Sequence, residues 1–533
     1  MTHKVCITAA GRGSRLSYAQ GTNKALLPIE HRSILTRIFD FFPPEVEIVL
    51  VLGYESQKIR DFLELSNNPR TITFVEVDNV DGPGSGPGYS LLQCRPHLQC
   101  PFVFAACDTL VTEHVPGPEE NWIGVAPVDK SDAFLVAEQK DGKVTRFFDK
   151  QNRKTITNAG ADPQSVCQTA FIGLAGVHDY EDFWSGLEQD VNLIGGEKQV
   201  SDGLNNLIGA GITCRPFTWF DTGTDENYLR AAAALSKTVF LDKPEESLYF
   251  ENNRVIKFFS DDARAAGRYT RAGHLDKALP DGISRKPHFL AYDFVAGNHL
   301  SDVTDLAVFC KFLSFANDNF WRPETLRPEE MDAFRQACMR FYKEKTLARI
   351  EAFRDKTGIA DRARTINGEE VPPLDSLLDK VDWDALASGV AVKFHGDPQP
   401  ENVIVTESGE FCLLDWREDF GGLTCCGDLY YDLAKIHHAL IVNGEVIRNN
   451  DFSITEDGKT VTCRFLTRDH LMIFLDAFEE DIGTRGWSLP RVYLLTALIY
   501  LNIAPIHQEP YDRFLYFYGS LLLNRILEDQ WRI

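Results

Sequence analysis

The chain has no CxxC pair, no low-complexity tract and no internal repeat, and its basic residues are in deficit, 55 Lys and Arg against 78 Asp and Glu. Each absence narrows the function. Without CxxC spacing, the twelve cysteines are scattered singly or as the neighbours Cys425 and Cys426, several inside apolar runs such as "VFAACD"; buried thiols in a reducing cytoplasm are expected. A formal charge of -23 repels phosphate backbones on average, which argues against a nucleic-acid partner but leaves room for local basic pockets that hold a free nucleotide. No run is expected to reach the roughly 18 apolar residues that span a bilayer. The opening "MTHKVCITAAG" reads as a strand rather than a leader, so no direct membrane insertion is expected.

What is present describes a globular protein, 44% hydrophobic and 25% charged, whose 533 residues suggest two or three domains. Apolar runs at 5–10, 47–54, 71–77 and 101–108 alternate with helical spacing, as in "ESQKIRDFLEL", where Ile59, Phe62 and Leu63 share a side. That alternation predicts a mostly parallel sheet covered on both faces, with ligand-binding residues at the carboxyl ends of its strands. A helix over 226–240 closes this α/β region, and a boundary is expected near 240, giving domains 1–240 and 241–533. Beyond it "SLYFENNRVIKFF" predicts a hairpin turning at the Asn pair, followed by helices from about 300 to 356 and a helical lobe at the end of the chain.

Two polar constellations stand out. In "AAGRGSRLSYAQGTNKALLPI", Gly11 and Gly13 let backbone N–H groups approach an anion, Arg15 offers a bidentate phosphate donor and Lys24 a point charge. The loop is neither a Walker A nor a GxGxxG motif, and alone such a turn is more often a surface loop than a nucleotide site. Asp108, ending "FVFAACD", and Asp221, in "FTWFDTG", each end an apolar run with a carboxylate; together they could hold Mg²⁺ against phosphate oxygens. "DGPGSGPGYS" adds Gly86 and Ser90, which suit either a nucleotide contact or a simple helix start.

These pieces, "AAGRGSRL", "NKALLPI", "ACD" and "WFDTG", resemble the sugar-nucleotidyltransferase family, which includes the phosphocholine cytidylyltransferases. The resemblance implies a Rossmann-like domain in which a substrate phosphate attacks the α-phosphorus of an NTP. Arg15 and Lys24 would bind phosphates, Asp108 and Asp221 would hold Mg²⁺, Gly86 and Ser90 would approach the base and sugar, and Lys150 would contact the acceptor phosphate. Asn23 stands where the family pattern has Pro, and "DKQ" replaces "EKP" around Lys150.

The second constellation, "FHGDPQPENVIVTESGEFCLLDW", has the order H-G-D-x4-N-x12-D-W. Asp397 can orient a hydroxyl and accept its proton, while a hairpin between Asn402 and Asp415 brings two magnesium ligands together. This set resembles the aminoglycoside phosphotransferase and choline kinase family, which implies a bilobal protein-kinase-like domain. By that resemblance Lys257 binds the α/β-phosphates of ATP, Asp397 is the base and 289–297 is the hinge beside adenine. His395 is expected to buttress the loop, and Asp428 and Asp432 to be structural. No Glu follows Lys257 in "SDDARAAGRYTRAGHL", which leaves Asp261, Asp262 or a more distant carboxylate as its partner.

A kinase makes R-OPO₃²⁻ and a nucleotidyltransferase consumes it, so the expectation is one bifunctional enzyme using ATP, a second NTP and Mg²⁺. CTP and choline are favoured by resemblance, with surface polysaccharide synthesis as the outlet. A sugar kinase coupled to a sugar-1-phosphate nucleotidyltransferase, and a non-catalytic regulatory or scaffold protein, are the alternatives. A homo-oligomer is compatible with either.

Overall fold

In "KVCITA" successive side chains enter different cores: Val5, Ile7 and Ala9 join one buried apolar cluster and Cys6 the other. "IVLVL" divides the same way, Ile48, Leu50 and Leu52 against Val49 and Val51. That two-residue period, apolar on both faces, makes these segments central strands. The computed structural model describes residues 3–19, 21–127, 134–148, 167–189, 193, 196–236 and 245–529. The chain divides into two compact units, Met1–Asp262 with Ser284–Ala291, and Ala263–Ile283 with Tyr292–Ile533. The boundary expected near 240 falls outside the described residues.

The first unit is built on a nine-stranded sheet. Its strands are β1 (Lys4–Ala9), β2 (Ile48–Leu52), β3 (Ile72–Glu76), β4 (Phe102–Ala106), β5 (Trp122–Ala126), β6 (Val136–Lys140), β7 (Lys143–Phe148), β8 (Cys167–Val177) and β9 (Thr213–Pro216). The order is β3-β2-β1-β4-β8-β5-β9-β7-β6. Strands β3, β2, β1 and β4 run parallel, as expected. The remainder corrects the mostly parallel expectation to a mixed sheet: β8 is antiparallel to β4 and β5, and β7 to β6 and β9, while β9 runs parallel to β5. The sequence reading rested on the four parallel strands, because their continuous apolar runs are legible, whereas "KVTRFF" alternates with exposed polar residues.

The helix Ser56–Leu65 buries Ile59, Phe62 and Leu63, and a short ribbon pairs Thr109–Val111 with Trp219–Asp221. The hairpin Glu246–Glu251 and Arg254–Phe259 turns on Asn252 and Asn253, both left-handed at φ 48° and 62°, the conformation Asn tolerates and a tight hairpin needs. Tyr249, Ile256 and Phe258 from this hairpin complete the core that β1 and β2 begin.

In the second unit, Val403–Val405 pairs with Phe411–Leu413, as the sequence predicts. The helices Leu429–Ile441, Leu489–Ile503 and Tyr511–Leu527 form its apolar centre. Two expectations need correction. Leu489–Ile506 does amount to 18 residues of mean hydropathy 1.4, and the fold buries half of it. The lobe is not wholly helical either, because Arg364–Ile366, Glu369–Val371, Phe452–Asp457 and Thr460–Phe465 make a four-stranded sheet.

Candidate active sites

Each unit carries a site. In the first, β1 runs into the glycine loop, where Gly13 adopts φ +65° and a β-carbon would stand 3.3 Å from Lys24 Cβ. Asn23 is fully buried: its amide donates to Ala9 O (2.9 Å) and Tyr54 O (2.8 Å) and accepts from the Ala25 N–H (2.9 Å). It ties the ends of β1 and β2 to the residue before Lys24, a role the departure from Pro did not announce.

Lys24 Nζ reaches Asp108 Oδ2 at 2.6 Å. The ribbon places Asp221 opposite Thr109, one residue beyond Asp108, and Thr222 N–H donates to Asp108 O at 2.9 Å. A β-carbon on Gly223 would lie 3.0 Å from Asp221 Oδ1 and 3.6 Å from Asp108 Oδ2, so the turn is flanked by both carboxylates. Burial, then the Asp108 charge, pushes the Asp221 carboxyl above its ordinary range. Burial would raise Asp108 too, but Lys24 holds it below that range. Asn227 Nδ2 (2.6 Å) and Gly223 N–H (2.9 Å) both donate to Asp221. Two carboxylates facing one turn suit a divalent cation, and among the described residues no three His, Cys, Asp or Glu converge, so a metal here would complete its shell with water and phosphate oxygens.

Arg15 lies exposed on the same loop and Gly11 leaves open space above its Cα. Asp225, which sequence reading missed, accepts from Ser17 N–H (2.8 Å) and Ser17 Oγ (2.7 Å) and fixes the loop just after Arg15. Gly86, at φ +110°, backs onto 197–198, where a β-carbon would meet Glu197 Cβ at 2.7 Å and Lys198 O at 2.8 Å. Ser90 is buried one turn into the helix Pro87–Gln93. None of their described contacts involves Lys24, Asp108 or Asp221. Lys150 lies outside the described residues.

Lys257 also belongs to the first unit. Its Nζ is 3.9 Å from Glu246 on the paired strand, the more distant carboxylate among the alternatives. Asp262 is engaged by Arg285 (2.6 Å) and the His288 N–H (2.7 Å).

In the second unit, the loop of Asp397 is held from beneath. The buried Asp432 carboxylate accepts from the His395 N–H (2.7 Å), the Gly396 N–H (2.6 Å) and Trp321 Nε1 (3.0 Å). Asp428 accepts from Tyr342 (2.7 Å) and the Val390 N–H (2.9 Å). His395 Nδ1 accepts the Asp397 N–H at 3.2 Å, which fixes a neutral ring with its proton on Nε2; burial pushes its pKa down to about 3. Asn402 Nδ2 donates to Asp397 O (3.0 Å), and Leu414 N–H to Asn402 O (2.7 Å), so loop and hairpin ends are joined. Asp415 is left-handed at φ 59° and accepts from Arg268 at 3.1 Å. Arg268, on the helix Asp262–Leu275 that lacks a Glu, also lies 3.8 Å from Glu418. Lys435 Nζ is 2.8 Å from Asp397 Oδ1. Arg268 and Lys435 were not singled out in the sequence.

Residues 5–116 match the MobA-like NTP transferase domain, and residues 279–448 match the phosphotransferase enzyme family. The chain joins a nucleotidyltransferase domain to a phosphotransferase domain. Both are enzyme families, and the nucleotidyltransferase fold precedes a kinase-like one. Among solved structures, a UDP-glucose pyrophosphorylase complexed with UDP-glucose is 18% identical, covering 44% of this chain and 98% of that one with a TM-score of 0.37. The CTP:phosphocholine cytidylyltransferase of Streptococcus pneumoniae is 14% identical, covering 44% and 100%, with a TM-score of 0.33. No curated protein matches the chain.

Proposed function

We propose that the phosphotransferase domain phosphorylates a small alcohol with ATP and that the nucleotidyltransferase domain then couples the product to a nucleotide. The observation that supports this reading is that Asp397, Asn402 and the end of the hairpin before Asp415 are joined by hydrogen bonds, which suits the roles proposed for them as base and magnesium ligands.

In the first reaction Asp397 accepts the proton of the alcohol as its oxygen bonds to the γ-phosphorus and ADP leaves. Lys257 would neutralise ATP phosphates. In the second, the new phosphate attacks the α-phosphorus of the second NTP, forming a phosphoanhydride and releasing pyrophosphate. Its nucleophile is already an anion, so no protein base is needed; Lys24 and Arg15 compensate charge and fix the line of attack. Asp108 and Asp221 in one site, and Asn402 and Asp415 in the other, would hold Mg²⁺, which when bound neutralises phosphate oxygens and the departing group.

CTP as the donor rests on the resemblance of the N-terminal motifs to phosphocholine cytidylyltransferases. The eleven free thiols among the described residues, together with the use of ATP and CTP, fit a cytoplasmic setting. A choline site needs accessible aromatic faces, and Trp321, Trp416 and Tyr430 do not offer them: they are 1%, 1% and 8% exposed, and Trp416 Nε1 donates to Arg268 O at 2.7 Å. The test uses the full chain: Asp415→Ala should abolish ADP formation and leave intact the pyrophosphate release from the NTP when a phosphate ester is supplied as acceptor, and Asp108→Ala should do the reverse. Persistence of both activities in both variants would overturn the reading.

A further inference from the structure

Lys435, the side chain that meets Asp397, also lines a cavity of about 70 Å³ in the second unit. Four of its lining residues are cations, Lys345, Arg349, Arg417 and Lys435, and none is a carboxylate. Lys435 has Asp397 as counter-ion at 2.8 Å. Arg417 faces Tyr431, Glu418 and Asp397 and lies over the Phe341 ring, 5.3 Å from its centroid, while Lys345 lies over the same ring at 4.1 Å. Arg417 Nε and the Asn502 side-chain oxygen, both at this cavity, are buried without a hydrogen-bond partner among the described residues.

Asp397 and Glu418 face Lys435 and Arg417, but with Lys345 and Arg349 at the same cavity the cations outnumber these carboxylates, an excess of positive charge that an anion would offset. Burial, and then Arg417, Arg349 and Lys435, push Lys345 well below the usual lysine range. The backbone is also unusual here, since the π-helical turn Arg340–Glu344 immediately precedes Lys345, and such turns gather at functional sites. A cavity of this size has room for a small charged group.

We propose that the alcohol phosphorylated beside Asp397 carries an anionic group of its own, a carboxylate or phosphoryl-type oxyanion, seated in this cavity by Lys345, Arg349 and Arg417. This rests on the kinase reading above and narrows its acceptor. The guanidinium of Arg417 offers an unused donor to the anion, and the Asn502 oxygen can accept from a neighbouring hydroxyl. A quaternary ammonium would meet the same four cations with its own positive charge. The nucleotidyl transfer that follows would then yield a product with a free acidic group besides its phosphoanhydride.

The test measures ADP release by the full-length protein with alcohols matched except for charge: glycerol, glycerate and glycerol 3-phosphate, glucose and glucuronate, ethanolamine and choline. At least one anionic member should exceed its neutral partner and the amino alcohols by tenfold or more in kcat/KM. Arg349→Gln should raise the KM of that acceptor about tenfold and leave the KM for ATP unchanged. Preference for a neutral or cationic alcohol, or a rise in the KM for ATP instead, would overturn the proposal. Inorganic sulfate serves as a probe independent of turnover. It should raise the Tm of the wild type and do so less in Arg349→Gln and Lys345→Met, and equal shifts in all three would also overturn it. Absence of ADP release with every acceptor would defeat the kinase reading, while the sulfate shifts still decide whether the cavity is an anion site.

Discussion

Lys435 Nζ stands 2.8 Å from Asp397 Oδ1, so the carboxylate proposed as the proton acceptor is already paired with a buried cation. Burial would raise the Asp397 carboxyl, but Lys435, followed by Arg417, holds it below the ordinary range. An ionised Asp397 is thereby available across neutral pH, as an acceptor and orienting group rather than a strong base.

Replacing Lys435 with Met should raise the Asp397 pKa and move the acidic limb of the kcat/KM profile for ADP release toward neutral pH. Pyrophosphate release by the same protein should keep its profile. An unshifted kinase limb would show that the pair does not set the ionisation of Asp397.

Asp432 is the support beneath the same loop. Asp432→Asn would turn an amide NH₂ toward one of the donors that its carboxylate now accepts, the His395 N–H, the Gly396 N–H or Trp321 Nε1. Leaving one buried donor unpaired costs about 1–3 kcal/mol. The expected result is a lower urea midpoint for the unfolding step that includes Trp321, with a matching loss of ADP release and undiminished pyrophosphate release at low urea.

The reach of the sequence follows a physical line. Residues that act as one chemical unit over short spans were legible: the spacing of His395, Asp397, Asn402 and Asp415 encodes a loop and hairpin, and the apolar runs ending near Gly11 and Asp108 encode strand ends. Lys435 and Arg268 were not legible, because each meets its carboxylate from a different helix, and a cation on a helix reads first as a solvated face. Asn23 looked like a departure from a pattern, yet its side chain makes three buried hydrogen bonds that nothing in "GTNKALL" reveals. The antiparallel half of the first sheet was hidden because β6 and β7 mix charged and apolar residues in short segments, while β5 and β8 are uncharged runs in which nothing local encodes direction.

Two buried histidines should make the protein acid-sensitive. Burial pushes both His395 and His438 down to about 3, against about 6.5 in an unfolded chain. Below pH 6.5 the unfolded state therefore takes up protons that the folded state refuses, so stability falls as pH decreases toward 3. Each group's contribution approaches about 1.4 kcal/mol per pH unit below pH 6, which comes to about 3 kcal/mol for the pair between pH 6.5 and 5. Urea titrations at the two pH values should show this fall, with His438→Gln losing about half of it. Equal pH dependence in wild type and variant would show that His438 is not held neutral by the fold.

Asn23→Ala separates positioning from charge in the first site. The substitution leaves Lys24 and its 2.6 Å contact with Asp108 chemically intact, but it strips partners from Ala9 O, Tyr54 O and the Ala25 N–H in a fully buried place. The loss should be about 2–4 kcal/mol in stability, since several buried groups are left unsatisfied together. The backbone that presents Lys24 would then no longer be tied to the ends of the two central strands. Pyrophosphate release should consequently fall more in kcat than its NTP KM rises, because the lysine still binds phosphate but samples orientations in which it does not meet the developing charge. ADP formation in the same preparation should remain near the wild-type value, which would exclude global unfolding as the cause. If kcat is instead retained and KM alone rises, Asn23 serves binding of the nucleotide rather than alignment of the transferring phosphate.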